Sequence, residues 1–168
     1  MAARNIIKNM TVSVDGRGYA GQVMEYTPPV LTLLTEEHRA GGMDAPITLD
    51  MGMEALETSF VLRSYDREVL RQFGVSEGNS VPFVGRGAMQ SYDGTVRPTT
   101  HTMRGKITSI DRGTWQPGTP ATMTVTMRLD YYREDHDGAR VHEIDVEKMV
   151  RVVDGIDLMA DIRQALGI

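Results

Sequence analysis

Cysteine is absent from this 168-residue chain. That excludes disulfides, thiolate metal sites and cysteine nucleophiles together. Long apolar runs are absent as well. None approaches about 20 residues, so no membrane-spanning helix is expected. Met1 to Lys8 lacks the apolar stretch of a secretory signal, and the expectation is a protein that folds in a cytoplasm. Positive charge is scarce: 18 Lys and Arg face 23 Asp and Glu, for a net charge of −5. A general nucleic-acid surface needs clustered bases to displace phosphate counterions, and no basic patch interleaved with aromatics occurs. Linkers, internal repeats and low-complexity tracts are missing too. The length therefore reads as one domain over 1–168, large enough to bury a core.

Glycine is plentiful, with 17 residues beside 7 Pro, and that combination suggests many turns joining short strands. Val12 and Val14 alternate with Thr11 and Ser13 in a strand that ends at Asp15-Gly16, a hairpin pair tolerant of positive φ. Tyr19 to Tyr26 reads as the returning strand, closed by Pro28-Pro29. Val30 to Arg39 reads as another. Ala40 to Pro46 is too rich in glycine for a regular element. Ile47 to Leu62 reads as one long strand bent at Gly52, with Leu56, Phe60 and Leu62 on one face and Glu57 and Ser59 on the other. A short helix over Asp66 to Phe73 stops at Gly74. Val81 to Tyr92 and Thr95 to Ile110 form a hairpin around Asp93-Gly94. In Ala121 to Tyr132, Met123, Val125, Met127, Leu129 and Tyr131 share a face. Asp137-Gly138 turns the chain back, and Asp154 caps a last helix that stops at Gly167. Helical crossovers between strands are lacking. The expected fold is therefore mainly β, an antiparallel sandwich or partly closed barrel with two short helices.

Chemistry is thinly represented. The histidines are His38, His101, His136 and His142; Asp135-His136-Asp137 falls on a turn, with no second cluster at ligand spacing. The serines occupy no nucleophile elbow. Gly85-Arg86-Gly87 lacks the continuation of a phosphate loop and reads as a bulge or a close backbone approach. Trp115, in a loop from Asp111 to Pro120, either anchors an interface or covers the core. No catalytic residue, metal ligand or cofactor is expected. Charge is informative instead. From Val30 to Phe60 the acids Glu36, Glu37, Asp44, Asp50, Glu54 and Glu57 meet one base, Arg39, and the rest of the chain balances at 17 of each sign. One segment thus carries the whole imbalance. It also holds Met43, Met51 and Met53, whose flexible thioethers suit irregular packing, including packing between subunits.

The run Glu37-His38-Arg39-Ala40-Gly41-Gly42-Met43-Asp44-Ala45-Pro46-Ile47, continued by Asp50-Met51-Gly52-Met53-Glu54-Ala55-Leu56-Glu57, resembles the major tail tube protein family of contractile-tailed phages, and within it especially the tube proteins of R-type pyocins. Asp15-Gly16, Leu31-Thr32, Met103-Arg104-Gly105, Asp130-Tyr131-Tyr132, Glu143-Ile144-Asp145 and the ending Asp154-Gly155-Ile156-Asp157 to Leu166-Gly167-Ile168 follow in family order. One departure stands before Leu31, where two prolines replace the usual one and a nearby lysine is missing.

The resemblance implies a tail-tube-like fold, six-membered rings of this subunit stacked into a tube, and a contractile sheath around it. It also implies sheath, baseplate and tail terminator proteins as partners, and a place in a virion tail or phage-tail-like particle assembled in the bacterial cytoplasm. In a phage, DNA transits the lumen; in a pyocin-like particle the tube pierces an envelope. A ring of six would carry roughly −30 charges, and a like-charged wall lets DNA slide without phosphate salt links. Glu57, Ser59 and Asp50 are the expected lumen residues, with Glu54 at the opposite strand parity. Arg39, Ala40, Gly41, Gly42, Met43, Asp44, Ala45 and Pro46 are the expected contact between subunits, most of all between successive rings. Two rivals are a type VI secretion tube protein and a small ligand-binding β-barrel or barrel enzyme, which would need an enclosed pocket.

Overall fold

The computed structural model describes residues 3–168; Met1 and Ala2, which begin the Met1–Lys8 stretch, lie outside them. β1 (Ile6–Val14) turns through Asp15-Gly16 into β2 (Arg17–Gly18). Both turn residues have positive φ, 49° and 77°, the geometry that matches strand twist in a two-residue hairpin. The chain then departs from expectation. Tyr19 to Tyr26 is not one strand: Gln22 N–H bonds back to the Tyr19 carbonyl at 3.0 Å, Tyr19 is buried, and β3 (Val23–Thr27) pairs with a different strand.

β4 (Leu33–His38) and β5 (Ile47–Met53) form a two-stranded sheet of their own. β6 (Glu57–Leu62) belongs to the main sheet. The single strand expected over Ile47 to Leu62 is therefore two strands in two sheets. Gly52, at φ 114°, bends the chain. Leu56 then drops into the core, and its carbonyl accepts the Leu129 N–H at 2.9 Å. α1 (Arg67–Leu70) follows, capped by Asp66, whose carboxylate accepts the Glu68 N–H.

β7 (Val81–Gln90), β8 (Val96–Asp111) and β9 (Met123–His136) are the long strands of the molecule. β10 (Ala139–Asp145), β11 (Val150–Val153), β12 (Ile156–Asp157) and α2 (Ala160–Leu166) complete the chain. Asp154 does not cap α2. Asp154-Gly155 is a β11–β12 turn with φ 48° and 81°, the same device as Asp15-Gly16. α2 does stop at Gly167, in the left-handed conformation.

The main sheet runs β12-β11-β10-β9-β8-β7-β1-β2, with β3 joined through β6 to β9. Its fork lies on β9. Met123–Arg128 pairs with β6, whereas Tyr131–His136 pairs with β10, so two strands share one edge of a single long one. A bulge makes this possible: Arg104 faces Tyr131 and Gly105 faces Leu129, leaving Asp130 without a partner on β8. The extra residue reverses side-chain parity. Met123, Val125, Met127 and Leu129 point inward as expected, but Tyr132 rather than Tyr131 is buried beyond the bulge. Around this axis Phe60 stacks on Phe83 at 5.0 Å between ring centroids, with Leu62, Met103 and Ile107 sealed beside them. The sheet wraps one core yet keeps three free ends, β2, β3 and β12, so the barrel is not closed.

At the bulge, a side chain on Gly105 would collide with the carbonyl of Arg128. Gly105→Ala is expected to destabilise the fold by about 3 kcal/mol, since neither backbone can retreat; thermal or urea unfolding measures it.

Candidate assembly surface

Two strands rarely hold together alone in water, and β4 and β5 pair only with each other. All six residues of β4 are exposed. Leu33, Leu34, Ile47, Leu49 and Met51 expose between 39% and 58% of their surface. A soluble domain scatters single apolar residues over its surface; five on one hairpin are a concentration of exposed apolar side chains. Both outer edges of the hairpin also carry unpaired backbone groups, a template for a further strand.

The tip, Arg39 to Pro46, holds its own shape. Met43 N–H bonds the Ala40 carbonyl at 3.2 Å, the Met43 sulfur accepts Ala40 N–H at 3.3 Å, and Arg39 Nε donates to the Met43 carbonyl at 3.4 Å. High glycine content suggested that an outside contact fixes this loop; hydrogen bonds within it do so instead. Gly42, at φ 88°, makes the turn. Ala40, Gly41, Asp44, Ala45 and Pro46 are exposed, and Met43 is half-buried against its own loop.

The acids of the segment separate into two groups. Asp50 Oδ2 pairs with Arg151 at 2.6 Å, and Glu57 pairs with Arg128 at 2.9 Å. Glu36, Glu37, Asp44 and Glu54 have no basic partner among the described residues. Glu57 and half-buried Ser59 lie on the outward face of β6, opposite Thr58 and Phe60. Asp50 lies on the hairpin. The three residues expected on one strand therefore sit on two elements, and the parity argument that set Glu54 against Glu57 lapses, because no ladder joins them. Trp115 does not cover the core. It is 72% exposed, and its Nε1 donates to the Tyr65 hydroxyl at 2.7 Å.

A second constellation escaped the sequence. His136 Nε2 lies 2.7 Å from Glu134 Oε1, His142 Nδ1 2.8 Å from Oε2, and His101 Nε2 3.7 Å from Oε1. The Tyr132 hydroxyl donates to Oε2 at 3.1 Å, and the Tyr26 hydroxyl meets His101 Nδ1 at 2.8 Å. Strand register alone brings them together: Glu134 faces His101 on β8 and His142 on β10. The Tyr26 ring reaches this place because Gly85 leaves room; a Cβ there would stand 2.8 Å from the ring. Close approach, not a bulge, accounts for Gly85. Among the described residues no three such side chains are arranged to hold a metal ion. The cluster ties β3, β8, β9 and β10 together on the β10 side of the fork.

Burial pushes the Glu134 carboxyl up, but hydrogen bonds from His142 and His136 and the charge of His101 outweigh it and hold it below the usual carboxylate range. Burial pushes the His101 imidazole down, further than Glu134 raises it.

The family model described as "Phage tail tube protein FII" matches residues 4–167. The "Tail tube protein" of Escherichia phage P2 is 28% identical over 172 aligned positions, covering all of both chains. The "Major tail tube protein" of Serratia phage KSP20 is 30% identical over 172 positions, covering all of this chain and 99% of the relative. Among solved structures, the sheath-tube complex of an extracellular contractile injection system in its extended state aligns with a TM-score of 0.57. That match has 11% identity and covers 75% of this chain and 87% of the other. The sheath/tube terminator of the same system also gives 0.57, at 10% identity, covering 75% and 92%. At such identity these two matches speak for the fold alone.

The His101–Glu134 pair fixes a pH dependence. Both groups have depressed folded pKa values, so both stabilise the fold at higher pH and lose that contribution as pH falls. The loss begins at His101 as pH drops through 6.5, its unfolded value, and continues at Glu134 below 4.5. The melting temperature is expected to fall between pH 7.5 and 5, and His101→Gln to flatten that slope; thermal unfolding across the range checks both.

Proposed function

Because the chain belongs to the phage tail tube protein FII family, we propose that it builds the tube of a contractile tail as stacked six-membered rings inside a sheath. It is a structural protein, as its curated relatives are, and its place is a virion tail or a phage-tail-like particle assembled in the bacterial cytoplasm. The projecting β4–β5 hairpin carries the reading. Ile47, Leu49 and Met51 alternate along β5 and leave 39% to 58% of their surface exposed. A neighbouring copy covers them when the hairpin packs on the next subunit. The residues Arg39 to Pro46 at the tip then reach the adjacent ring. Contact between unlike surfaces propagates without closing and yields a tube.

Along the bore, the unpartnered acids Glu37, Asp44 and Glu54 supply negative charge, with Glu57, Ser59 and Asp50 contributing a more neutral, ion-paired wall. Repulsion between such a wall and DNA phosphates prevents retention in transit. Sheath, baseplate and terminator proteins are the partners this architecture requires. The rival reading as a ligand-binding barrel needs an enclosed cavity, which an open sheet with three free ends does not favour.

Leu49→Asp and Met43→Asp test the assembly contact. Leu49 is exposed in the single subunit, so its replacement is expected to change folding stability by no more than about 0.5 kcal/mol. In the tube it would bury an unpaired carboxylate at every subunit, an expense that stops growth. Folded subunits without tubes, seen by electron microscopy and mass measurement, are the expected result. A structure of the assembled tube locates the acids: carboxylates confined to the sheath side would overturn the lumen assignment.

A further inference from the structure

The hairpin's direction is not set by backbone pairing, because no ladder joins β4 or β5 to the main sheet. Chain continuity at Thr32 and Glu54 fixes its base, where Glu54 N–H bonds the Thr32 carbonyl at 2.9 Å, and half-buried Met53 packs against the core. Beyond that base, one polar side-chain link reaches it from outside among the described residues. Arg151, on β11, meets Asp50 Oδ2 at 2.6 Å across 101 residues of sequence. Asp50 Oδ1 meanwhile accepts the Gly52 N–H at 2.9 Å. The same carboxylate thus grips the bend that aims the hairpin and the guanidinium that anchors it.

We propose that Asp50 and Arg151 are positioning residues that hold the β4–β5 hairpin at the angle its neighbouring subunit requires. The inference rests on the hairpin contact proposed above and specifies what presets it. Three observations support it. The Arg151 side chain is only 16% exposed while Asp50 is 40% exposed, so a well-packed guanidinium reaches out to the exposed hairpin. The hydrogen bond from Arg151, and then that from Gly52, hold the Asp50 carboxyl below its ordinary range, which keeps the pair charged at neutral and mildly acid pH. The hairpin's two faces are also divided: directly paired Thr35 and Asp50 share the face turned to Arg151, whereas Leu49 and Glu36 share the opposite one. Closing the ion pair therefore presents the Leu49 face outward. A free arm would have to be ordered at each addition, and ordering before contact removes that cost from association.

Asp50→Asn, Arg151→Met and the double variant test the idea, with Arg151→Lys as the charge-preserving control. In isolated subunits, amide exchange over 47–53 is expected to speed up in both single variants and to stay unchanged over β7 to β9. The threshold concentration for tube growth is expected to rise about tenfold in each. The double variant should be no worse than either single one, because one interaction is lost once. Arg151→Lys should recover part of the loss. Unchanged hairpin exchange, or losses that simply add in the double variant, would overturn the proposal. Faster exchange with normal growth would overturn it too. The Leu49→Asp result separates the two ideas: blocked growth there with normal growth in the ion-pair variants removes the positioning role alone, and normal growth in both removes the hairpin contact itself. Asp50 is exposed enough that its replacement by Asn leaves a folded chain to measure.

Discussion

Everything in the subunit hangs on the pairing of β8 with β9. These strands are 16 and 14 residues long, much longer than the usual five or six. An uninterrupted ribbon of that length would twist out of any compact core. The bulge opposite Gly105 divides it into two segments that face the same interior, one through Met123, Val125 and Met127, the other through Tyr132. Without the bulge, the second half would turn its apolar side outward. β6 and β10 could not then take adjoining places on one edge.

Beyond Tyr132 the inner face of β9 turns polar. There Glu134 and three histidines, with Tyr26 reaching in from β3, stand where apolar side chains stand in the other half. The carboxylate is tolerable because His136, His142 and the Tyr132 hydroxyl all lie within hydrogen-bond distance of it. The cluster joins β3 to the β8–β10 part of the sheet.

Much of this was legible in advance. Asp15-Gly16, Asp93-Gly94 and Asp137-Gly138 mark real turns, the alternation from Met123 to Leu129 marks a real inner face, and Asp66 and Gly167 mark real helix ends. The failures share a cause. Parity puts Tyr131 on the face of Met123 to Leu129, because a bulge leaves no mark on a sequence. Ile47 to Leu62 passed for one strand because apolar residues recur along it without saying which sheet they face. Asp154 reads as a helix cap, although with Gly155 it forms the same dipeptide that signals turns elsewhere. The gathering of His101, His136 and His142 at Glu134 depends on register across three strands, which no local pattern encodes. Arg151 was missed for the same reason: an isolated arginine 101 residues from its partner looks like any surface base.

The methionines on the hairpin give the molecule a chemical clock. Met103, Met123 and Met127 have no exposed surface, whereas Met51 is 58% exposed and Met43 sits at the tip. Oxidation converts a thioether into a polar sulfoxide, and it reaches exposed sulfur first. In a subunit whose hairpin is covered on joining the tube, the oxidisable surface is open only while the subunit waits. Under the hairpin contact proposed above, oxidant reaches Met51 before incorporation and not after, while the buried methionines are spared throughout.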